Sequence, residues 1–183
     1  MPDAPDPPSP FVAAQRDRLR ETARLGPCLD LACGRGRHAR FAAQAGLRVV
    51  ALDRNAESLR SVAAIARSEA LAIAPLRADA ESPLGLPLRA GRFGAVLVTR
   101  FLFRPLAPSI EALLAPGGVL VYETFLARQR SLGSGPKSAA FLLDDGELAR
   151  LFPHLDVLGG EESLRNGGGG EAWLAGLVAR RPG

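Results

Sequence analysis

The chain has 183 residues, 47% hydrophobic and 23% charged, with a net charge of +4; this fits one domain with a proper core and the composition of an ordinary soluble protein. No apolar run approaches the roughly 18 residues of a membrane span, and two cysteines and two distant histidines form neither a disulfide framework nor a metal cluster. Of the 23 basic residues 22 are Arg, scattered from Arg16 to Arg181 among acidic residues; a nucleic-acid binder gathers such charge into a stripe, so no nucleic-acid partner is expected.

Residues 1–8, acidic and Pro-rich, read as a disordered tail and as neither a signal nor a transit peptide, which points to a cytoplasmic protein. A single domain is expected over residues 9–183. Ser9-Pro10 starts a helix from Phe11 to about Arg24, which Gly26-Pro27 ends. A short apolar strand follows at residues 28–32, then Gly34-Arg35-Gly36, then a helix from Arg37 to Ala45 closed by Gly46. Leu47 to Leu52 is a second strand, and Asn55 caps a helix to about Glu69.

Leu71 to Leu76 is a third strand, weakened by Pro75, and Arg92 to Thr99 a fourth. Residues 107–115 form a short helix, and Pro116-Gly117-Gly118 turn into a fifth strand, Val119 to Tyr122. Strands apolar on both faces and separated by helices predict a parallel sheet covered on both sides. A helix from Asp144 to Phe152 precedes two strands, residues 155–163 and 171–179, whose link of Asn166 and four glycines suits an antiparallel hairpin.

The most informative stretch is LDLACGRGRHA, residues 29–39: a strand, a glycine turn and a helix with Ala39 at the third small position. Backbone amides at such a turn make a concave site with no Cβ in the ligand's way, although a glycine pattern alone is a weak signal. Asp30, four residues before Gly34, sharpens it. A carboxylate there would repel a dinucleotide's pyrophosphate and would suit a ligand carrying a sulfonium and an ammonium group. Asp53, at the end of the next strand, is placed to accept hydrogen bonds from ribose hydroxyls; the other reading of Asp53 is a turn residue beside a helix.

These residues resemble the D-L-x-C-G-x-G motif of class I S-adenosylmethionine-dependent methyltransferases, through Asp30, Leu31, Cys33, Gly34 and Gly36, with Ala32 where many members carry glycine. Residues 114–120, LAPGGVL, resemble the family's L-x-P-G-G-x-L turn into strand five. The resemblance covers about residues 27–122. It implies a Rossmann-like, doubly wound seven-stranded sheet in three layers, mostly parallel with an antiparallel C-terminal hairpin. The cofactor it implies is S-adenosyl-L-methionine, held by Asp30, Ala32, Cys33, Gly34, Gly36, Asp53, Arg54, Asp79, Ala80 and Thr99, with the acidic residue after strand three facing the adenine amino group. Residues 141–148, FLLDDGEL, and the absence of an inserted substrate domain resemble the short tellurite-resistance and thiopurine methyltransferases, which implies small, soft or aromatic acceptors.

Ligands of open α/β sheets sit outside the carboxyl ends of the strands. A small-molecule acceptor is therefore expected near Arg100, Arg104, Tyr122, Phe125 and Lys137, the last on a Gly/Ser-containing loop able to act as a lid. For Arg100 a salt bridge with Glu123 weighs equally, and for Tyr122 a packed ring does. His38 reads as a residue of the helix surface or cofactor side before it reads as a catalytic base. Two other functions stay open: a non-catalytic S-adenosylmethionine-binding module, and an NAD-dependent oxidoreductase, against which Asp30 and the Pro-Gly-Gly turn argue.

Overall fold

A computed structural model describes residues 6–166 and 170–183. Residues 1–5 of the predicted tail and three glycines of the hairpin link lie outside the described residues. The sheet has seven strands: β1 (Cys28–Leu31), β2 (Val49–Asp53), β3 (Ile73–Arg77), β4 (Phe93–Thr99), β5 (Leu114–Phe125), β6 (Asp156–Asn166) and β7 (Glu171–Arg180). Their order is β3-β2-β1-β4-β5-β7-β6, parallel throughout β1 to β5, with β7 antiparallel to both β5 and β6. The expected Rossmann-like sheet with its C-terminal hairpin is what forms.

The alternation of side chains along each strand divides the core into two layers. On one face Cys28, Ala51, Leu97 and Val121 pack against helices α1 (Pro10–Ala13), α2 (Arg16–Thr22), α3 (Arg37–Gln44) and α4 (Ala56–Ser68). On the other, Leu29, Leu31, Val96 and Leu120 pack against α5 (Ala107–Leu113), α6 (Glu147–Arg150) and Phe152. Every residue of β1 and β4 is buried. Among the described residues no helix is long and apolar enough to cross a membrane.

Four elements depart from the predicted spans. The first predicted helix breaks into α1 and α2 at Ala14–Gln15, where Gln15 N–H bonds back only three residues to the Val12 carbonyl. Pro75 lies within β3, which tolerates it as an edge strand whose missing N–H costs no sheet bond. β5 begins at Leu114, because Leu114 already pairs with Phe93 across the irregularity of the Pro-Gly-Gly turn. The last helix, predicted from Asp144, is confined to four residues because Gly146 turns left-handed (φ 68°) just before it.

Candidate functional site

The strand order reverses between β1 and β4, and the turns after these strands separate there to open a crevice. A cavity of about 370 Å³ lies at this switch point. Ala32, Asp53, Arg54, Ala78, Asp79, Ala80 and Glu81 line one end, and Arg100, Phe101, Leu102, Thr124, Phe125, Pro136 and Phe141 line the other.

The first end is built on the turn after β1. Ala32 (φ 56°), Gly34 (φ 54°) and Gly36 (φ 84°) are all left-handed. A Cβ on Gly34 would meet nothing within 4 Å, so this turn presents open backbone, whereas a Cβ on Gly36 would strike the Val62 side chain at 2.8 Å. Gly36 therefore serves helix packing and Gly34 serves access. The Asp53 carboxylate bridges two turns: one oxygen accepts from Gly34 N–H at 2.8 Å and the other from Asn55 N–H at 2.8 Å. Asp53 is thus a turn residue and also a wall of the cavity, each oxygen keeping a lone pair for a further donor. Asp79 accepts from Glu81 N–H at 3.0 Å, and Arg54 reaches Glu81 at 3.4 Å.

Asp30, Cys33, Gly36 and Thr99 are buried and do not line the cavity, whereas Gly34 is part-exposed at its margin in the turn after β1. Asp30 is fully buried, and neither carboxylate oxygen has a hydrogen-bond partner among the described residues. Burial pushes its carboxyl up to about 7, against the lowering effects of the Ala39 amide and Arg37. An orphaned buried carboxyl beside an open glycine turn fits a cationic ligand group that brings its own donors. Burial drives the Cys33 thiol far above its ordinary range, so it is an inert packed thiol.

Of the five residues expected at the acceptor, the structure brings Arg100 and Phe125 together in the cavity, the guanidinium 6.0 Å from the ring centroid. The other three are engaged elsewhere. Arg104 binds both carboxylate oxygens of Glu147 at 2.5 and 2.9 Å and the Leu142 carbonyl at 2.8 Å, which clamps the 138–147 segment to the sheet. Tyr122 donates its hydroxyl to the Phe101 carbonyl at 2.9 Å and packs its ring at a tilt against Phe152. Lys137 is exposed and donates to the Leu132 carbonyl, while its neighbour Pro136 lines the cavity. Arg100 N–H donates to the Glu123 carbonyl at 2.8 Å, and the Glu123 carboxylate pairs with Arg165 at 3.0 Å.

His38 is buried and neutral, its pKa pushed down to about 3 by desolvation and by Arg37 and Arg100. Two lining residues not assigned to the site from the sequence are Thr124, whose buried hydroxyl lacks a partner among the described residues, and Phe141, half-exposed on the loop after β5. Thr124 carries no motif of its own, and the FLLDDGEL stretch that Phe141 opens marks a family resemblance and not a place in the site; the fold brings both to the cavity from separate segments.

A doubly wound sheet with a glycine turn after β1 and a carboxylate at the end of β2 is the architecture of nucleotide-cofactor proteins. Residues 28–118 match a family described as methyltransferase domain. The chain thus carries a methyltransferase domain, and its fold is that of S-adenosylmethionine-dependent methyltransferases. No curated protein sequence matches it significantly. Among solved structures it is similar to a protein studied for conversion of a disulfide bond into a thioacetal group during echinomycin biosynthesis, with TM-score 0.74, 21% identity, and coverage of 98% of this chain and 85% of that one. It is similar to TehB from Haemophilus influenzae with TM-score 0.70, 18% identity and 90% coverage, and spans 62% of the TehB chain. Geranyl diphosphate C-methyltransferase from Streptomyces coelicolor, solved with S-adenosyl-L-homocysteine, matches with TM-score 0.65 and 18% identity over 92% of this chain and 77% of that one. At these identities the likeness establishes the fold.

Proposed function

We propose that the cavity takes both substrates: S-adenosylmethionine across the ends of β1 to β3, and a small-molecule acceptor between β4, β5 and the loop after β5. The observation that carries this reading is one cavity whose lining after β2 and β3 bears three carboxylates (Asp53, Asp79, Glu81) beside Arg54, and whose lining after β4 and β5 is mostly apolar (Phe101, Leu102, Phe125, Pro136, Phe141) around Arg100. When bound, the cofactor supplies a methyl group on an already activated sulfonium. Asp53 holds the ribose hydroxyls, Asp79 and Ala80 the adenine, and Ala32, Cys33, Gly34 and Gly36 shape the turn that seats the methionine end. Asp30 offsets the ammonium charge, Arg54 rims the site, and Thr99 supports its floor.

At the acceptor end, Arg100 and Phe125 orient the nucleophile and Phe141 with Pro136 limits water. Alignment and desolvation are the protein's main contributions to an in-line displacement. Among the described residues no His, Lys, Cys or Tyr lines the cavity. This favours acceptors that arrive already nucleophilic, such as thiolates. Labelled methyl transfer to a panel of small thiols, chalcogen oxyanions and carboxylates tests the proposal. Labelling of one class supports it, and labelling of none, with the cofactor bound, refutes it.

A further inference from the structure

β4 leaves the sheet at Thr99, and the next three residues, Arg100, Phe101 and Leu102, all line the cavity. Arg100 is left-handed (φ 53°), a conformation that a residue with a Cβ holds only where its surroundings impose it. Three hydrogen bonds impose it here. His38 bonds the Thr99 hydroxyl at 3.0 Å, the Arg100 N–H donates to the Glu123 carbonyl, and the Tyr122 hydroxyl donates to the Phe101 carbonyl at 2.9 Å.

The His38 ring also fixes the direction of its own bond. Ser9 N–H donates to Nε2 at 3.1 Å, so Nε2 carries the lone pair and Nδ1 carries the proton that goes to Thr99. One buried ring therefore ties three pieces together: the segment leading into α1, the first turn of α3 beside the glycine turn, and the end of β4. Both of its nitrogens are used. Tyr122 grips the same turn from the opposite face of the sheet, where its ring packs on Phe152. Neither His38 nor Tyr122 lines the cavity.

We propose that His38 and Tyr122 are positioning residues for methyl transfer, which together lock the strained Thr99–Arg100–Phe101 turn and so aim Arg100 and Phe101 at the acceptor. The proposal rests on the reading that this end of the cavity takes the acceptor. If the turn relaxes to an ordinary φ, the backbone no longer directs either side chain into the cavity, while the cofactor end keeps its own supports in Asp53 and the glycine turn.

Three variants test it: His38→Leu, which breaks both ring bonds; His38→Gln, whose amide can accept from Ser9 and donate to Thr99; and Tyr122→Phe, which removes only the Phe101 bond. Amide hydrogen exchange at Arg100 reports the lock directly. Binding of S-adenosylhomocysteine reports the cofactor end, and methyl transfer to thiophenol reports the acceptor end. His38→Leu and Tyr122→Phe are expected to speed exchange at Arg100 at least tenfold and lower kcat at least tenfold. S-adenosylhomocysteine affinity should stay within threefold, and His38→Gln should restore most of both losses. Wild-type exchange at Arg100 in both His38→Leu and Tyr122→Phe overturns the proposal, as does a faster exchange that leaves kcat unchanged. If His38→Leu fails to fold, Tyr122→Phe decides alone. Absence of transfer by the wild type counts against the acceptor reading, whereas exchange at Arg100 judges the lock itself, so the two failures are distinguishable.

Discussion

At the scale of single residues, Asp53 ties two turns together at the proposed cofactor end of the cavity. Both its oxygens already accept from backbone amides, so Asp53→Asn would set a side-chain NH₂ against an N–H and disturb the turn as well. Asp53→Ala should weaken S-adenosylhomocysteine binding by roughly 1.5–3 kcal/mol, the range for charge-assisted hydrogen bonds, and calorimetry showing unchanged affinity would remove its ribose role. Ala32 is left-handed where glycine has no steric cost. Ala32→Gly should stabilise the protein by about 0.5–1 kcal/mol net of the added chain entropy, read as a higher melting temperature. Asp30 carries a pH signature. Its folded pKa, about 7, lies above the unfolded value, so the folded state binds the extra proton between about pH 4 and 7 and stability falls as pH rises through that window. An ammonium docked beside Asp30 favours the carboxylate, so S-adenosylhomocysteine should bind more tightly at pH 8 than at pH 6 and release a proton at pH 6. Calorimetry in buffers of different ionisation heat measures that proton, and Asp30→Asn should abolish its release. Asp30 and Ala32 were legible in the sequence because they lie within one short motif around the glycine turn, and Asp53 because it ends the next strand. Arg104 was not legible, because its partner Glu147 stands 43 positions further on and only folding brings the two together.

At the scale of elements, the segment from Leu126 to Glu147 is held at both ends and exposed between them. Leu126 and Leu143 form a bridge, Gln129 bonds the Ser134 carbonyl and the Trp173 N–H, and Arg104 bonds the Ala140 and Leu142 carbonyls. Residues 132–141 between these anchors carry Pro136 and Phe141 to the cavity. Arg104→Ala should release the distal anchor, lower stability by roughly 1–3 kcal/mol for the lost bonds to a charged group, and raise the acceptor's KM more than the cofactor's. Equal effects on both constants would make Arg104 a general support and not an anchor of the acceptor loop. Strand and helix identities from β1 to β5 could be read from period and punctuation, since apolar runs such as Ala95–Val98 admit a fully buried strand. Boundaries were less legible where long-range contacts decide them. β5 starts early because Phe93 pairs with Leu114, and the first helix divides where a segment anchored through Ser9 on His38 meets α2.

At the scale of the whole molecule, the sheet order places every proposed site group along one edge, the carboxyl ends of β1 to β5, while the antiparallel β7 and β6 complete the sheet beyond β5. The fold and the cofactor class were legible because the glycine turn, Asp53 and the Pro-Gly-Gly turn are local patterns read in order along the chain. The acceptor end was only partly so. Phe101, Thr124, Phe125 and Phe141 come from three separate segments, and their convergence is a product of topology. One cavity is proposed to carry both the cofactor and a small acceptor, with Arg100 on the acceptor side. The most direct measurement is transfer of labelled methyl from S-adenosylmethionine to the acceptor panel by wild type and Arg100→Ala, with S-adenosylhomocysteine affinity measured on the same samples. The wild type should label a thiol-class acceptor, and Arg100→Ala should lose turnover approaching a hundredfold for a nucleophile misplaced by about 1 Å, with cofactor affinity unchanged within about threefold. Tight S-adenosylhomocysteine binding with no labelled acceptor, or an Arg100→Ala variant that loses melting temperature while keeping its turnover, would contradict this reading.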